Sequence, residues 1–227
     1  MPTLGCVIKL MNAILTIDTA NGYLALGLKN SNEIGHFHKS EKINHQVEEI
    51  CGAVSQLLQT ANEKLENIEY FGLNIGPGSF TGVRIATAYI TGLLAFSPEK
   101  KIILFDTFDI LLQEFLINNP GKKNSKIAVA LKADILNNIF IKHYDFSENY
   151  QSIGKFMKIN EIQPQECDIL LCDEDIFPYL SAFSPVICNK ISPSTMLKLA
   201  ENKQKSAQSL AEIKLIQPQY IRQPYEK

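Results

Sequence analysis

The sequence predicts an α/β fold, and three observations support this prediction. The chain opens with three short apolar runs joined by tight turns, which is typical of an antiparallel meander. From residue 41 onward, segments with helical spacing alternate with strand-like runs. The chain has 227 residues, of which 45% are hydrophobic and 20% charged, so it is long enough to bury one large core or two smaller ones.

The first 61 residues predict three strands followed by a helix. The strand-like runs are 14–18, 24–28 and 33–38. A turn signal, Asn21-Gly22, separates the first two runs. Residues 41–61 then repeat apolar side chains every three or four positions, as on one face of a helix, and Ser40 is the expected N-cap. The apolar stripe consists of Ile43, Val47, Ile50, Cys51, Val54, Leu57, Leu58 and Ala61.

The remaining elements alternate along the chain. A strand at 68–75 leads directly into Gly76-Pro77-Gly78-Ser79 and a helix that Pro98 ends. Further strands are predicted at 102–106, 127–131, 137–144, 167–172 and 185–188, and helices at 80–96, 107–116 and 193–202. The loop at 118–126 is the expected boundary between an N-terminal lobe, 1–118, and a C-terminal lobe, 119–227, whose tail is expected to pack back on the first lobe.

Composition excludes several classes of protein. The formal charge is −2, so the chain lacks the basic excess expected of a protein that binds nucleic acid by itself. Five cysteines without a CxxC pair argue against a disulfide framework or a zinc site and indicate reduced thiols. No apolar run approaches the roughly 20 residues of a membrane span, and no signal peptide is recognisable. The expected location is the cytoplasm.

The segment Gly76-Pro77-Gly78-Ser79 is the sharpest local feature. Two glycines around a proline allow a strand to turn abruptly into a helix, and Ser79 can cap that helix. Such an elbow is either a tight turn or an anion site at a helix N-terminus, and the residues alone leave both interpretations open. No Lys-Ser or Lys-Thr follows Gly82, so the elbow is not a P-loop.

The helix after the elbow is apolar or small nearly all round. Arg84 is the only charged residue between Phe80 and Ser97, so more than one face of this helix must be covered. Together with the stripe at 41–61 it predicts a two-helix surface that meets a partner. The alternative is that both helices are internal core.

Asp18 ends the first strand and precedes a turn. Actin-like and sugar-kinase-like ATPases hold phosphate and metal-bound water with such an Asp. They normally have glycine two residues later, where this chain has Ala20. They also need glycine-rich turns in the second lobe, whereas Gly154 is the last glycine. We therefore expect the nucleotide site to be absent or vestigial, with no cofactor bound.

Other catalytic arrangements find no support in the residues. His36 and His38 point to one side of a strand, yet no further metal-ligand spacing accompanies them. Ser79 lies outside a GxSxG nucleophile elbow, and no triad is recognisable. We predict no catalytic, cofactor-binding or metal-binding residue.

Four segments resemble the TsaB/YeaZ family of bacterial proteins in order and spacing. They are residues 14–28, 38–50, 72–94 and 217–224, and the third contains the most specific motif, GPGSFTGVRI. The good match covers about the first 110 residues and the end of the chain. Where the family usually has Asp-Ala-Arg after the first strand of the second lobe, this chain has Lys132-Ala133-Asp134.

The resemblance implies a two-lobed, actin/Hsp70-like (ribonuclease-H-like) fold with a degenerate nucleotide site. It implies a non-catalytic adaptor that binds the transferase TsaD as a heterodimer and works with the ATPase TsaE in making N6-threonylcarbamoyladenosine at position 37 of tRNA. tRNA would be met only through the complex, and the chain alone would form a homodimer. The implied structural residues are Asp18, Gly76, Pro77, Gly78 and Ser79. The implied partner-binding residues are Ile43, Val47, Ile50, Cys51, Val54, Gly82, Arg84, Ala86, Tyr89, Ile90 and Leu93.

The competing hypothesis is an ATP-dependent small-molecule kinase or ATPase of the same superfamily that uses Asp18. Under the adaptor hypothesis, Gly82→Arg or Ala86→Arg is expected to break the complex while leaving the fold largely intact.

Overall fold

The computed structural model describes residues 13–134, 138–188, 191–213, 216–219 and 221. The helices are α1 (Gln46–Thr60), α2 (Phe80–Ala95), α3 (Thr107–Asn118), α4 (Pro193–Asn202) and α5 (Leu210–Ile213). The strands are β1 (Ala13–Asp18), β2 (Ala25–Lys29), β3 (Gly35–Lys39), β4 (Ile68–Asn74), β5 (Lys101–Phe105), β6 (Lys126–Lys132), β7 (Asn138–Asp145), β8 (Tyr150–Gln151), β9 (Lys155–Lys158), β10 (Ile169–Cys172), β11 (Val186–Ile187) and β12 (Gln208–Ser209). No helix in this part of the chain is long and apolar enough to cross a membrane.

The first sheet has the strand order β12-β5-β4-β1-β2-β3. Strands β1, β2 and β3 form an antiparallel meander. Strands β4 and β5 then continue the sheet parallel to β1. Helices α1 and α2 pack on one face, and α4 covers the other face over β1, β2 and β3. Strand β1 is buried along its whole length because it is central and covered on both sides.

The second sheet repeats this plan. Strands β6 and β7 begin an antiparallel meander that β8 and β9 complete, and β10 and β11 then run parallel to β6. Its order is β11-β10-β6-β7-β8, with β9 also paired to β7. Two sheets of the same topology in one chain confirm the predicted two-lobed ribonuclease-H-like architecture.

Helices α3 and α4 fill the space between the two sheets. Helix α3 packs on β6 of the second sheet and on α4, which in turn packs on the first sheet. One continuous core therefore joins both sheets, with Ile14 and Phe105 on one side, Val129 and Leu171 on the other, and Phe108 between them. After α4, the short β12 pairs with β5 of the first sheet. The division of the chain at residue 118 remains a prediction.

The predicted start of the first helix is wrong. Helix α1 begins at residue 46, with His45 as its N-cap and no side-chain cap bond. Residues before it form a turn in which Asn44 has φ +63° and its N–H donates to the Gly22 carbonyl at 2.9 Å. Ser40 Oγ instead accepts from the Lys42 N–H at 3.0 Å, within this turn.

The sequence also missed short elements in the second lobe. Strands β8 and β9 have two and four residues, and a 3₁₀ helix occupies Phe177–Phe183. None of them is long enough to show a period of its own.

Candidate interaction surface and interlobe cleft

The elbow between β4 and α2 packs tightly against the end of β1. Gly76 has φ +100°, a conformation that favours glycine. A Cβ on Gly78 would lie 2.5 Å from the Ala20 carbonyl oxygen. Ser79 caps α2 as predicted, since its Oγ accepts from the Gly82 N–H at 3.1 Å. Both glycines are thus required by geometry, and the elbow is a closely packed turn.

Gly82 and Ala86 face the inside of the chain. A Cβ on Gly82 would lie 2.1 Å from the Thr19 carbonyl oxygen, and Thr19 Oγ1 donates to the Gly82 carbonyl at 2.6 Å. Ala86 is fully buried in the core under the first sheet. An arginine at either position has no space, so the expectation that these substitutions leave the fold largely intact is wrong.

The eleven expected partner-binding residues divide into buried and accessible groups. Besides Gly82 and Ala86, three side chains are buried against the first sheet: Ile50, Val54 and Ile90. Tyr89 and Leu93 are half-buried. The exposed ones are Ile43, Val47, Cys51 and Arg84.

Phe80 completes the exposed group and was not singled out from the sequence. It is 43% exposed in the first turn of α2, and the Arg84 guanidinium carbon lies 3.7 Å from the centre of its ring. A cation stacked on an aromatic face holds both side chains in one arrangement. The available signal was the spacing of four residues, which puts both on one face of a helix.

The accessible side chains of the two helices and of the turn before α1 form one surface, which we call the α1–α2 surface. It consists of Ile43, Val47, Cys51, Phe80, Arg84, Tyr89 and Leu93. The two helices contact each other. The pKa of Tyr89 is raised first by burial and then by the nearby Cys51. Ile43 and Val47 are 56% and 63% exposed, which is costly for β-branched apolar side chains in water. An apolar patch with one stacked arginine has the composition of a protein-binding surface.

Asp18 is buried in a hydrogen-bond network. Its Oδ1 accepts from the Ala20 N–H at 2.9 Å and from Asn74 Nδ2 at 2.7 Å, and its Oδ2 accepts from Asn21 Nδ2 at 3.4 Å. Burial raises the pKa of this carboxyl group, against the effect of those hydrogen bonds. The side chain is 1% exposed, and its hydrogen bonds hold Asn74 and the turn after β1 in place.

A cavity of about 580 Å³ lies between the lobes. Its floor is apolar, with Leu111, Leu131 and Phe140, while one end carries three consecutive acidic residues, 173–175. Lys132 Nζ contacts Asp175 at 3.1 Å and offsets part of that charge. Carboxylates at this end repel a polyphosphate. None of the described lining residues from Leu131 onward is glycine, the residue that lets the backbone approach a phosphate closely.

The described residues contain no group of three or more His, Cys, Asp or Glu that could hold a metal ion. His36 Nε2 lies 3.5 Å from Asn30 Nδ2, and His38 lies with it beside α1 around a small cavity.

Comparison with known proteins identifies relatives for much of the chain. The model of a family described as "TsaD: tRNA N6-adenosine threonylcarbamoyltransferase" matches residues 35–153, which is 119 of 227 residues. A protein of Escherichia coli named tRNA threonylcarbamoyladenosine biosynthesis protein TsaB is 30% identical over 138 residues, covering 60% of this chain and 56% of the relative. A protein of the same name from Buchnera aphidicola (strain Bp) is 24% identical over 144 residues, covering 63% and 62%. The match thus spans less than two thirds of these relatives' lengths.

Solved structures agree on the fold. YeaZ from Pseudomonas aeruginosa superposes with a TM-score of 0.75 at 18% identity, covering 92% of this chain and all of the other. A second Pseudomonas aeruginosa structure, described as similar to peptidase YeaZ, has a TM-score of 0.76 at 18% identity and covers 93% and 100%. At this identity the likeness supports the fold alone. Because the family model matches more than half of the residues and the named relatives carry one name, the chain belongs to this family, within its TsaB/YeaZ group.

Proposed function

We propose that this protein is a non-catalytic adaptor subunit in the synthesis of N6-threonylcarbamoyladenosine in tRNA. It binds and activates a TsaD-type transferase as a heterodimer, together with a TsaE-type ATPase, in the cytoplasm. It meets tRNA only through that complex, and it forms a homodimer when the transferase is missing. The names of its relatives support the pathway, and the surface and cleft described above support the role.

The exposed α1–α2 surface is the observation that carries the proposal. Its apolar side chains lie on the turn before α1 and on two adjacent helices whose other faces are already buried against the chain's own sheet. A second protein that presents two helices could cover this surface and remove Ile43, Val47 and Phe80 from water. The buried Asp18 and the acidic end of the interlobe cavity agree with a protein that has no nucleotide chemistry of its own.

The test is a mass measurement by light scattering after size exclusion, on the chain alone and mixed with the TsaD-type protein of the same cell. We expect a 1:1 complex that replaces any homodimer. Ile43→Asp with Val47→Asp should weaken the complex at least about tenfold, because two carboxylates would be desolvated in an apolar contact. The control is Ile153→Asp, which places one carboxylate at an 82% exposed isoleucine outside the two helices.

Two outcomes contradict the proposal. The first is separate elution of the two proteins at every salt and nucleotide condition. The second is an equal effect of the control and the double variant on the complex. Magnesium-dependent ATP binding that Asp18→Asn abolishes would support the kinase alternative, and no binding at millimolar ATP would remove it.

A further inference from the structure

Five polar side chains form a largely buried cluster where α3, β7 and the end of α4 meet, with Lys203 at its partly exposed edge. Asp106 and Asp109 come from α3 and its N-cap, Lys142 and Tyr144 from β7, and Lys203 from the residue after α4. Lys142 Nζ lies 2.7 Å from Asp106 Oδ2 and 2.9 Å from Asp109 Oδ1. Tyr144 donates to Asp109 Oδ1 at 2.8 Å, and Lys203 Nζ donates to Asp109 Oδ2. We call this group the interlobe ion cluster.

The cluster joins parts of the molecule that belong to different sheets. Lys142 and Tyr144 lie on the second sheet, whereas Lys203 follows the helix that covers the first sheet. Two carboxylates face two ammonium groups, so the cluster is neutral when all four are ionised. Lys142 is only 6% exposed, and removing its charge would leave two buried carboxylates with a single cation.

The two carboxyl groups have different proton affinities. Burial, and then the negative charge of Asp109, raises the pKa of Asp106 to about 6 against the attraction of Lys142. Burial acts in the same direction on Asp109, but the charges of Lys203 and Lys142 outweigh it and lower the pKa to about 2. Tyr144, whose pKa is raised well above its usual value by burial and by both carboxylates, stays protonated. Asp106 is the member of the cluster that changes charge near neutral pH.

A short path leads from the cluster to the elbow that begins α2. Asp106 caps α3 through the Asp109 N–H at 2.7 Å. The next residue, Thr107, donates its N–H to the Gly76 carbonyl at 2.8 Å and its hydroxyl to the Pro77 carbonyl at 2.6 Å. Thr107 Oγ1 also accepts from Asn74 Nδ2 at 3.1 Å. A shift at Asp106 would therefore move Thr107, which is hydrogen-bonded to two residues of the elbow, Gly76 and Pro77.

We propose that the interlobe ion cluster is a lock that couples the placement of the second lobe to the elbow of α2, and through it to the α1–α2 surface. Breaking the lock, by mutation or by protonation of Asp106, changes the position of the first turn of α2, which carries Phe80 and Arg84. The part that concerns partner binding rests on the proposed function. The coupling within the chain does not.

The first test compares Lys142→Met with Lys126→Met. Both variants replace a lysine of the second sheet, but Lys126 is exposed and pairs with Asp145 at 3.4 Å outside the cluster. In the chain alone, we expect faster amide hydrogen exchange at residues 76–83 in Lys142→Met and wild-type exchange there in Lys126→Met. Affinity for the TsaD-type protein should fall about tenfold or more only in Lys142→Met, within the usual range of coupling between sites. Unchanged exchange at the elbow in a folded Lys142→Met protein would overturn the proposal.

The second test does not depend on whether Lys142→Met folds. Asp106→Asn keeps a side chain that can cap α3 but cannot titrate. The amide resonances of Gly76, Gly78 and Gly82 in the wild type should shift with a midpoint near pH 6, and this shift should be absent in Asp106→Asn. The pKa of Asp106 in the folded state lies above its ordinary value, so protonation of this carboxyl group favours the folded state. As the pH falls from 7 to 4, the melting temperature of the wild type should therefore rise relative to that of Asp106→Asn.

Elbow resonances that do not titrate in the wild type, or that titrate equally in Asp106→Asn, would refute the lock. The hydrogen-exchange and resonance measurements use the chain alone, so a failed search for the transferase partner leaves them interpretable. Conversely, if the wild-type chain binds the TsaD-type protein but its elbow resonances do not titrate, the lock is contradicted and the adaptor function is left intact.

Discussion

At the scale of single residues, the close contact between Gly82 and Thr19 decides how α2 sits on the first sheet. The absence of a side chain at Gly82 lets the first turn of α2 approach the end of β1, where Thr19 Oγ1 bonds its carbonyl. Gly92 lies ten residues further on in the same helix and has open space around it. The two glycines therefore respond differently to the same substitution.

We predict that Gly82→Ala lowers the free energy of unfolding by about 1–3 kcal/mol, because the new methyl group would overlap the Thr19 carbonyl and the backbone must move. Gly92→Ala should instead raise it by about 0.5–1 kcal/mol, since alanine is the better helix former at an unobstructed position. Urea denaturation of both variants measures the difference. Equal effects of the two substitutions would show that the contact at Gly82 is not limiting.

At the scale of elements, α1 and α2 begin in different ways. Helix α2 has a side-chain cap from Ser79, whereas the first turn of α1 has none and follows a turn closed by Asn44 and Gly22. The elbow and its cap are local in sequence, so the predicted start of α2 was confirmed. The start of α1 depends on a hydrogen bond to a turn more than twenty residues earlier, which no local pattern reveals.

Replacing Ser79 tests whether its side-chain cap stabilises the start of α2. Ser79→Ala should cost about 1 kcal/mol of stability and speed hydrogen exchange in the first turn of α2, because the Gly82 N–H loses its acceptor. Ser55→Ala, at an exposed site inside α1, should be neutral or stabilising by up to about 0.5 kcal/mol. If Ser55→Ala costs as much as Ser79→Ala, the effect does not come from capping.

The same distinction explains which parts of the candidate site were predictable. Apolar spacing identified both helices and the strands β1, β4 and β6, because each pattern is contained in one segment. It did not separate Val47 from Val54, which share a stripe but differ in burial, since the direction of the sheet is a tertiary property. The interlobe ion cluster was missed entirely, because its members are spread from Asp106 to Lys203 and no single segment signals them.

At the scale of the whole molecule, α4 makes the two lobes dependent on each other. Gly27 and Gly72 leave room for it on the first sheet, since a Cβ on Gly27 would lie 2.7 Å from the Pro193 carbonyl oxygen and one on Gly72 3.3 Å from the Ala200 Cβ. Met196 and Ala200 are fully buried in the core that joins the sheets. The first sheet is therefore covered on this face by a helix from the end of the chain.

A chain that ends at residue 191 should fail to fold its first sheet, although all the strands of the meander are present. The face of β1 and β2 that α4 covers would remain in water, and burial of that apolar area is the main driving force for folding. A chain that ends at residue 213 keeps α4 and β12 and should retain the fold with lower stability. Circular dichroism and the dispersion of amide resonances distinguish the two. A cooperatively folded 1–191 chain would show that α4 is dispensable.

The position of α4 in the sequence also determines when the first sheet can finish folding during translation. β1 leaves the ribosome about 175 residues ahead of α4, and at roughly 5–20 residues per second this delay is on the order of 10–35 s. During that time the nascent β1–β2 hairpin has one apolar face that its own chain cannot yet cover. Folding of the first sheet is thus completed only after α4 has been synthesised, and nascent chains that stall before residue 193 are the species most exposed to aggregation and most in need of a chaperone.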